Sequence, residues 1–175
     1  MQSLKVIGIL IALVIVGGAI YVYAGAYNVG ADAAHTKPVG WFLSTVSDRS
    51  VAMHAKDIQP PANLSDEKMI LEGAGHYSEM CTGCHLAPGI GDNAMRRGLN
   101  PQPPNLALPS DLSPGEMFWV IKHGVKMTGM PAWGKTHSDQ EVWAITAFVQ
   151  RLPTMTPVTY QDIVAKARSD ETAAH

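Results

Sequence analysis

The chain of 175 residues is predicted to be all-α. Three observations carry this. Polar capping signatures precede apolar runs of helical period. The middle of the chain is broken by prolines and glycines instead of alternating as strands do. Residues 6–26 form an almost uninterrupted apolar run. Thirteen basic and fifteen acidic side chains give a net charge of −2. That offers no basic field for a nucleic acid partner. Two cysteines are too few for a disulfide-dense scaffold.

The mean hydropathy of +0.03 is that of an ordinary soluble protein, but it averages two unlike parts. Residues 1–31 carry one charge, Lys5, and every other charge lies beyond them. Residues 6–26 as a helix span roughly 31 Å, enough to cross a hydrocarbon core. Tyr21, Tyr23 and Tyr27 stand where an interfacial aromatic belt belongs, and the early Lys5 places the N-terminus inside. The segment reads as a single-pass anchor. The rival is a cleaved signal ending at Ala24-Gly25-Ala26, whose apolar core would be unusually long.

Residues 32–63 read as a connector. Within it Val39, Phe42, Leu43 and Val46 keep i, i+3, i+4, i+7 spacing, predicting a short amphipathic helix. Trp41 beside Phe42 suits a membrane interface or a partner surface. The segment either packs on its own domain or docks on a larger membrane complex. Pro60-Pro61 stiffens the chain before the next helix.

Residues 64–153 hold the predicted domain. Ser65-Asp66-Glu67-Lys68 predicts a side-chain cap and an acidic first turn for a helix running to about Met80. Ser113-Pro114-Gly115-Glu116 predicts a capping box with proline at the first helical position and a stop near Gly124. Ser138-Asp139-Gln140-Glu141 predicts another, opening a helix that buries Val142, Ile145, Phe148 and Val149 and stops at Pro153. Five prolines within 87–109 predict loops. Residues 154–175 read as a tail: a short helix through Ile163 and Val164, a mobile segment, or an arm bound to a partner.

Both cysteines fall in Cys81-Thr82-Gly83-Cys84-His85. Two thiols three positions apart on one helical turn can each add to a vinyl group on one edge of a porphyrin. The adjacent histidine then faces the iron, giving one covalently attached haem c with His85 as an axial ligand. A thioredoxin-like pair needs a strand before the motif and a helix after it, whereas a helix precedes this one and a loop follows. A structural zinc site needs two further ligands, and there is no second cysteine pair.

Met130, between Gly129 and Pro131, is the expected second axial ligand, because proline fixes φ and helps hold such a loop rigid. Met127 is the competitor but lacks that flanking pattern. His123 falls near a helix end and suits local packing. Met69, Met95 and Met117 read as gap-filling core, and His35, His54, His76 and His137 give no ligand signal.

With these residues in place, the chain resembles a membrane-anchored, single-haem class I cytochrome c of the small bacterial type, over roughly residues 64–153. The resemblance rests on the Cys81–His85 motif, on Thr128-Gly129-Met130-Pro131, and on the helices around them. It implies three to five helices around the haem. It also implies that Gly73 and Tyr77 allow the first domain helix to cross the last closely, against Ile145 and Phe148. A proline carbonyl should orient His85, from Pro88, Pro101, Pro103 or Pro104.

Two axial ligands leave no open iron position, so the expected function is electron transfer rather than catalysis, with no small-molecule substrate. The alternative is a haem enzyme or sensor with a displaceable ligand. Expected partners are membrane lipid and redox proteins, either as subunits of a membrane respiratory or dehydrogenase complex or as stations of a tethered shuttle. The expected location is the bacterial inner membrane with the haem domain on the periplasmic side. Lys122, Lys126 and Lys135 either steer an acidic partner or are solvated surface charges. Arg96 and Arg97 are candidates for pairing with haem propionates.

Overall fold

The structure, a computed structural model, describes residues 2–173; residues 1, 174 and 175, at the ends of the predicted anchor and tail, lie outside it. The chain divides into two units, Met1–Ala34 and His35–His175.

The first unit contains α1 (Gln2–Tyr23), which has no buried residue. It is long and apolar enough to cross a membrane, about 33 Å at ~1.5 Å per residue. Gly25, at φ +65°, lies just beyond its end.

The second unit is built of helices: α2 (Lys37–Ala55), α3 (Glu67–Met80), α4 (Thr82–His85), α5 (Ala94–Arg97), α6 (Pro114–His123), α7 (Asp139–Arg151) and α8 (Pro157–Ala173). No strand forms among the described residues, and Ala87 and Ile90 make an isolated antiparallel bridge.

Both predicted capping boxes form. Ser113 Oγ accepts from the Glu116 N–H while the Glu116 carboxylate accepts from the Ser113 N–H. Ser138 and Glu141 repeat the pattern. At α3 the expectation fails, because Asp66 is the N-cap and makes no side-chain capping bond. The acidic first turn, Glu67, is present there. Gly124 ends α6 at φ +64°, with the Met130 carbonyl oxygen 2.7 Å from where a Cβ would stand. α7 gives way to a short 3-10 turn, Leu152–Thr154, at Pro153.

The core is centred on α3 against α7. Gly73 meets the Ala144 backbone and the Phe148 side chain, and the Tyr77 and Phe148 rings lie 5.3 Å apart. Tyr77, Phe148, Ile70, Ile145, Leu152 and Val142 are fully buried. At ~1.5–3 kcal/mol for each large apolar side chain, this seam is the main apolar contribution to the fold. Phe118 of α6 stacks on Trp143 of α7 at 4.2 Å.

Two segments go beyond the sequence expectation. The connector helix runs for 19 residues, and its second half buries Val51 and Ala55. Gly115 at the start of α6 leaves room for the Ile58 and Ala55 carbonyls. The predicted tail forms a 17-residue helix with Tyr160, Val164 and Ala167 in the core. Thr156 and Thr159 cap its start reciprocally, each hydroxyl accepting from the other's N–H.

Candidate functional site

The C-terminus of α3 delivers the cysteine motif. The Cys81 carbonyl accepts from the N–H groups of Cys84 (3.1 Å) and His85 (2.8 Å), so 81–85 is one helical turn. Side chains three apart on such a turn share a face. The turn is tied on several sides. Thr82 Oγ1 donates to the Tyr77 carbonyl (3.1 Å) and lies 3.0 Å from the Tyr160 hydroxyl of α8. Asn93 Nδ2 donates to the Gly83 carbonyl (2.8 Å). The chain then reverses through Leu86 at φ +60°, a left-handed conformation that costs a branched residue energy. The buried Tyr77 hydroxyl holds it there, donating to the Leu86 carbonyl at 2.6 Å.

His85 is oriented from two sides. Its carbonyl accepts from the Leu106 N–H (3.0 Å), and its Nδ1 lies 3.0 Å from the Pro104 carbonyl. As donor to that carbonyl Nδ1 carries the proton, which leaves Nε2 with its lone pair. Pro104 is thus the carbonyl chosen among the four candidate prolines. Arg96 supports the same strand of loop by donating to the Pro103 carbonyl (2.9 Å). Burial pushes the His85 pKa down, with the Arg96 charge adding to it and the Pro104 bond opposing. That direction favours the neutral imidazole, the form that binds a metal.

Across a cavity of about 260 Å³ stands the second loop. The Val125 N–H donates to the Met130 carbonyl (3.2 Å). Thr128 Oγ1 donates to the Val125 carbonyl (2.8 Å) and accepts from the Met130 N–H (3.1 Å). Leu99 packs against Gly129. These bonds turn Met130 inward, where it lines the cavity with Cys81, Cys84 and His85. Met127 is 98% exposed, at φ +61°, and takes no part in the lining. The remaining walls are mainly apolar, among them Leu106, Ile121, Ile145, Val149 and Trp133.

The other sequence candidates fall elsewhere. Arg96 and Arg97 both reach Asp92, at 3.0 and 3.5 Å, and neither lines the cavity, so the structure gives no support to propionate pairing. Arg96 Nε is buried without a hydrogen-bond partner. Lys122 is paired with Asp139 (2.6 Å) and lies over the Phe118 ring. Lys126 and Lys135 are exposed. His123 packs on Trp119 at 5.0 Å, the local role expected of it. Sequence reasoning did not find the Tyr77 hydroxyl as a clamp on Leu86, nor the Arg96 buttress. Both are contacts from a helix to a loop, which have no periodic signature.

The cavity fits an apolar macrocycle. Its two thiols stand on one turn, an oriented imidazole follows them, and a thioether faces in from a separate loop. Burial, and then the charge of Cys84, push the Cys81 thiol up to about 12, the opposite of the depressed value a redox-active pair requires. Among the described residues no three His, Cys, Asp or Glu side chains converge as a bare-ion site.

Fold and site together are those of a small c-type cytochrome domain, a kind of domain that transfers electrons with haem as its cofactor. Residues 68–149 match the family model described as cytochrome c oxidase, cbb3-type, subunit III. No curated protein matches the chain. Among solved structures, the chain is similar to part of a reducing HAO-like protein complex of Kuenenia stuttgartiensis, with 25% identity and a TM-score of 0.45. That match covers 58% of this chain and 53% of the other, so the chain spans about half the length of that relative. The haem domain follows an apolar helix that fits a single-pass membrane anchor.

Proposed function

We propose that Cys81 and Cys84 hold one haem through thioether bonds, that His85 and Met130 are its axial ligands, and that the protein is an electron carrier with no substrate of its own. The observation that carries this is the paired arrangement of His85 and Met130. The Pro104 carbonyl fixes the histidine through Nδ1, and Thr128 fixes the methionine loop through the Met130 N–H. Both residues face one apolar cavity. Bound there, haem supplies a one-electron Fe(III)/Fe(II) couple. The chain's own residues do the rest. Pro104 keeps Nδ1 protonated, the apolar walls exclude water, and the Thr128 and Val125 bonds limit how far Met130 moves between redox states. With both axial positions filled, no iron position is left for a substrate.

A ferric absorption band near the red edge, characteristic of sulfur–iron ligation, tests the ligand set. Met130→Ala abolishes it and Met127→Ala leaves it. An unchanged band in Met130→Ala overturns the assignment, in favour of a haem enzyme or sensor with a labile site.

The proposed place of work is the bacterial inner membrane, with the haem domain on the periplasmic side. There the protein serves as a subunit of a membrane respiratory or dehydrogenase complex. The tethered-shuttle reading gains from one observation: α8, the segment for which the sequence left a partner-bound arm open, is folded onto its own domain. Purification in mild detergent separates the two, since a subunit travels with partners and a shuttle runs alone.

A further inference from the structure

The helix α2 is divided in its chemistry. Its second half belongs to the domain, burying Val51 and Ala55. Its first half contributes no buried residue, yet it is the more apolar part. Residues 38–47 contain no charge at all. Trp41 is 70% and Phe42 58% exposed, with Val39, Leu43 and Val46 also uncovered. Val39, Phe42, Leu43 and Val46 share one face, and Trp41 stands about 100° round the helix beyond its Phe42 edge. Small uncharged groups, Pro38, Gly40, Ser44, Thr45 and Ser47, make up the rest.

The segment is covalently close to a lipid phase. Only residues 24–36 separate the end of α1 from the start of α2. Thirteen residues reach at most roughly 45 Å when fully extended. A helix kept within that distance of a bilayer meets it at high effective concentration, so even weak apolar contacts suffice.

We propose that the first half of α2 lies in the headgroup–acyl boundary of the membrane crossed by α1, with Val39, Phe42, Leu43 and Val46 inserted and Trp41 at the interface. This rests on the reading of α1 as an anchor. An indole is suited to the site, with an apolar ring for the acyl edge and an N–H for the wet side. Lys37, at the helix start, can extend its ammonium to the headgroups. Because 38–47 is uncharged, the contact is apolar and independent of salt. The second half of α2 then links the haem domain to the membrane surface through a packed helix instead of a free tether.

The test uses the full-length, haem-loaded chain in phosphatidylcholine–phosphatidylglycerol vesicles, with acyl-brominated lipid as a contact quencher. Trp41→Phe is the blank for the remaining tryptophans. The emission assigned to Trp41 should fall by about half, as expected for a ring ~5–10 Å into the boundary, and should do so equally at low and high salt. Flotation with the vesicles reports the anchor separately. A chain that does not float refutes the anchor and this proposal with it. A chain that floats with Trp41 unquenched refutes this proposal alone, as does quenching that disappears in high salt. Trp41 unquenched in vesicles but shielded from an aqueous quencher in native membranes also refutes it, and assigns the face to a protein partner.

Discussion

Gly73 of α3 lies directly against the backbone of Ala144 of α7, so close that a Cβ on residue 73 would overlap the Ala144 carbonyl and come within 2.9 Å of the Phe148 Cβ. Neither neighbour is the far end of a flexible side chain, so relief requires the helices to separate. Gly73→Ala should therefore cost ~3 kcal/mol, the upper part of the range for overpacking. Denaturant unfolding of the haem-loaded protein, followed at the haem absorption, measures this. A loss below ~1 kcal/mol would mean that the crossing yields more readily than its geometry implies.

Tyr77→Phe keeps the ring against Phe148 and removes only the hydroxyl that bonds to the Leu86 carbonyl. That carbonyl is left buried without its partner, and the left-handed turn at Leu86 loses its restraint. A loss of ~1–3 kcal/mol is expected, seen as a lower denaturation midpoint. Tyr77→Leu, which also removes the aromatic contact, should be clearly worse.

The two capping boxes predict how the domain responds to acid. Hydrogen bonds from the Ser113 hydroxyl and N–H hold Glu116 below its ordinary value of 4.5. Bonds from the Ser138 N–H and hydroxyl do the same for Glu141, with smaller help from His76 and His137. A carboxyl depressed in the fold adds stability that is complete above its unfolded value and is lost as pH falls through the folded one. Thermal midpoints should thus fall as pH drops below about 4.5. The Glu116→Gln/Glu141→Gln double variant should show a flatter acid limb. Parallel acid limbs would show that other carboxylates dominate.

Cys81→Ser/Cys84→Ser tests how far the fold depends on what fills its cavity. A small domain buries a lower fraction of its surface than a large one, and here the centre of the fold lines an open apolar space. Circular dichroism of the double variant in detergent should lose the helical signal of the second unit and keep that of α1. A full helical signal would show that the protein core suffices alone.

How much of this was legible depended on how local each signal is. The capping boxes at Ser113 and Ser138 lie within four residues, so pattern and structure agree. The Cys81–His85 turn is local too, and so is the pattern that made Met130 rather than Met127 the expected ligand: Gly129 and Pro131 flank one methionine and not the other. The carbonyl partner of His85 was not readable, because four prolines offered one and only the path of the 98–106 loop selects Pro104. The helix at 157–173 did carry a signal. Tyr160, Ile163, Val164 and Ala167 keep helical spacing behind Thr156-Pro157, but with so many small and charged residues the stripe was faint. At Asp66 the local rule failed, since the acidic sequence looks like a side-chain cap and makes no capping bond.

The contact between Thr82 and Tyr160 spans 78 positions of chain. One end lies inside the cysteine motif and the other in the last helix. During synthesis from the N-terminus the motif is complete long before its clasp exists. Residues 81–85 therefore wait on a partly built scaffold until α8 packs against α3. Tyr160 of α8 acts as the latch on the turn that carries the two thiols.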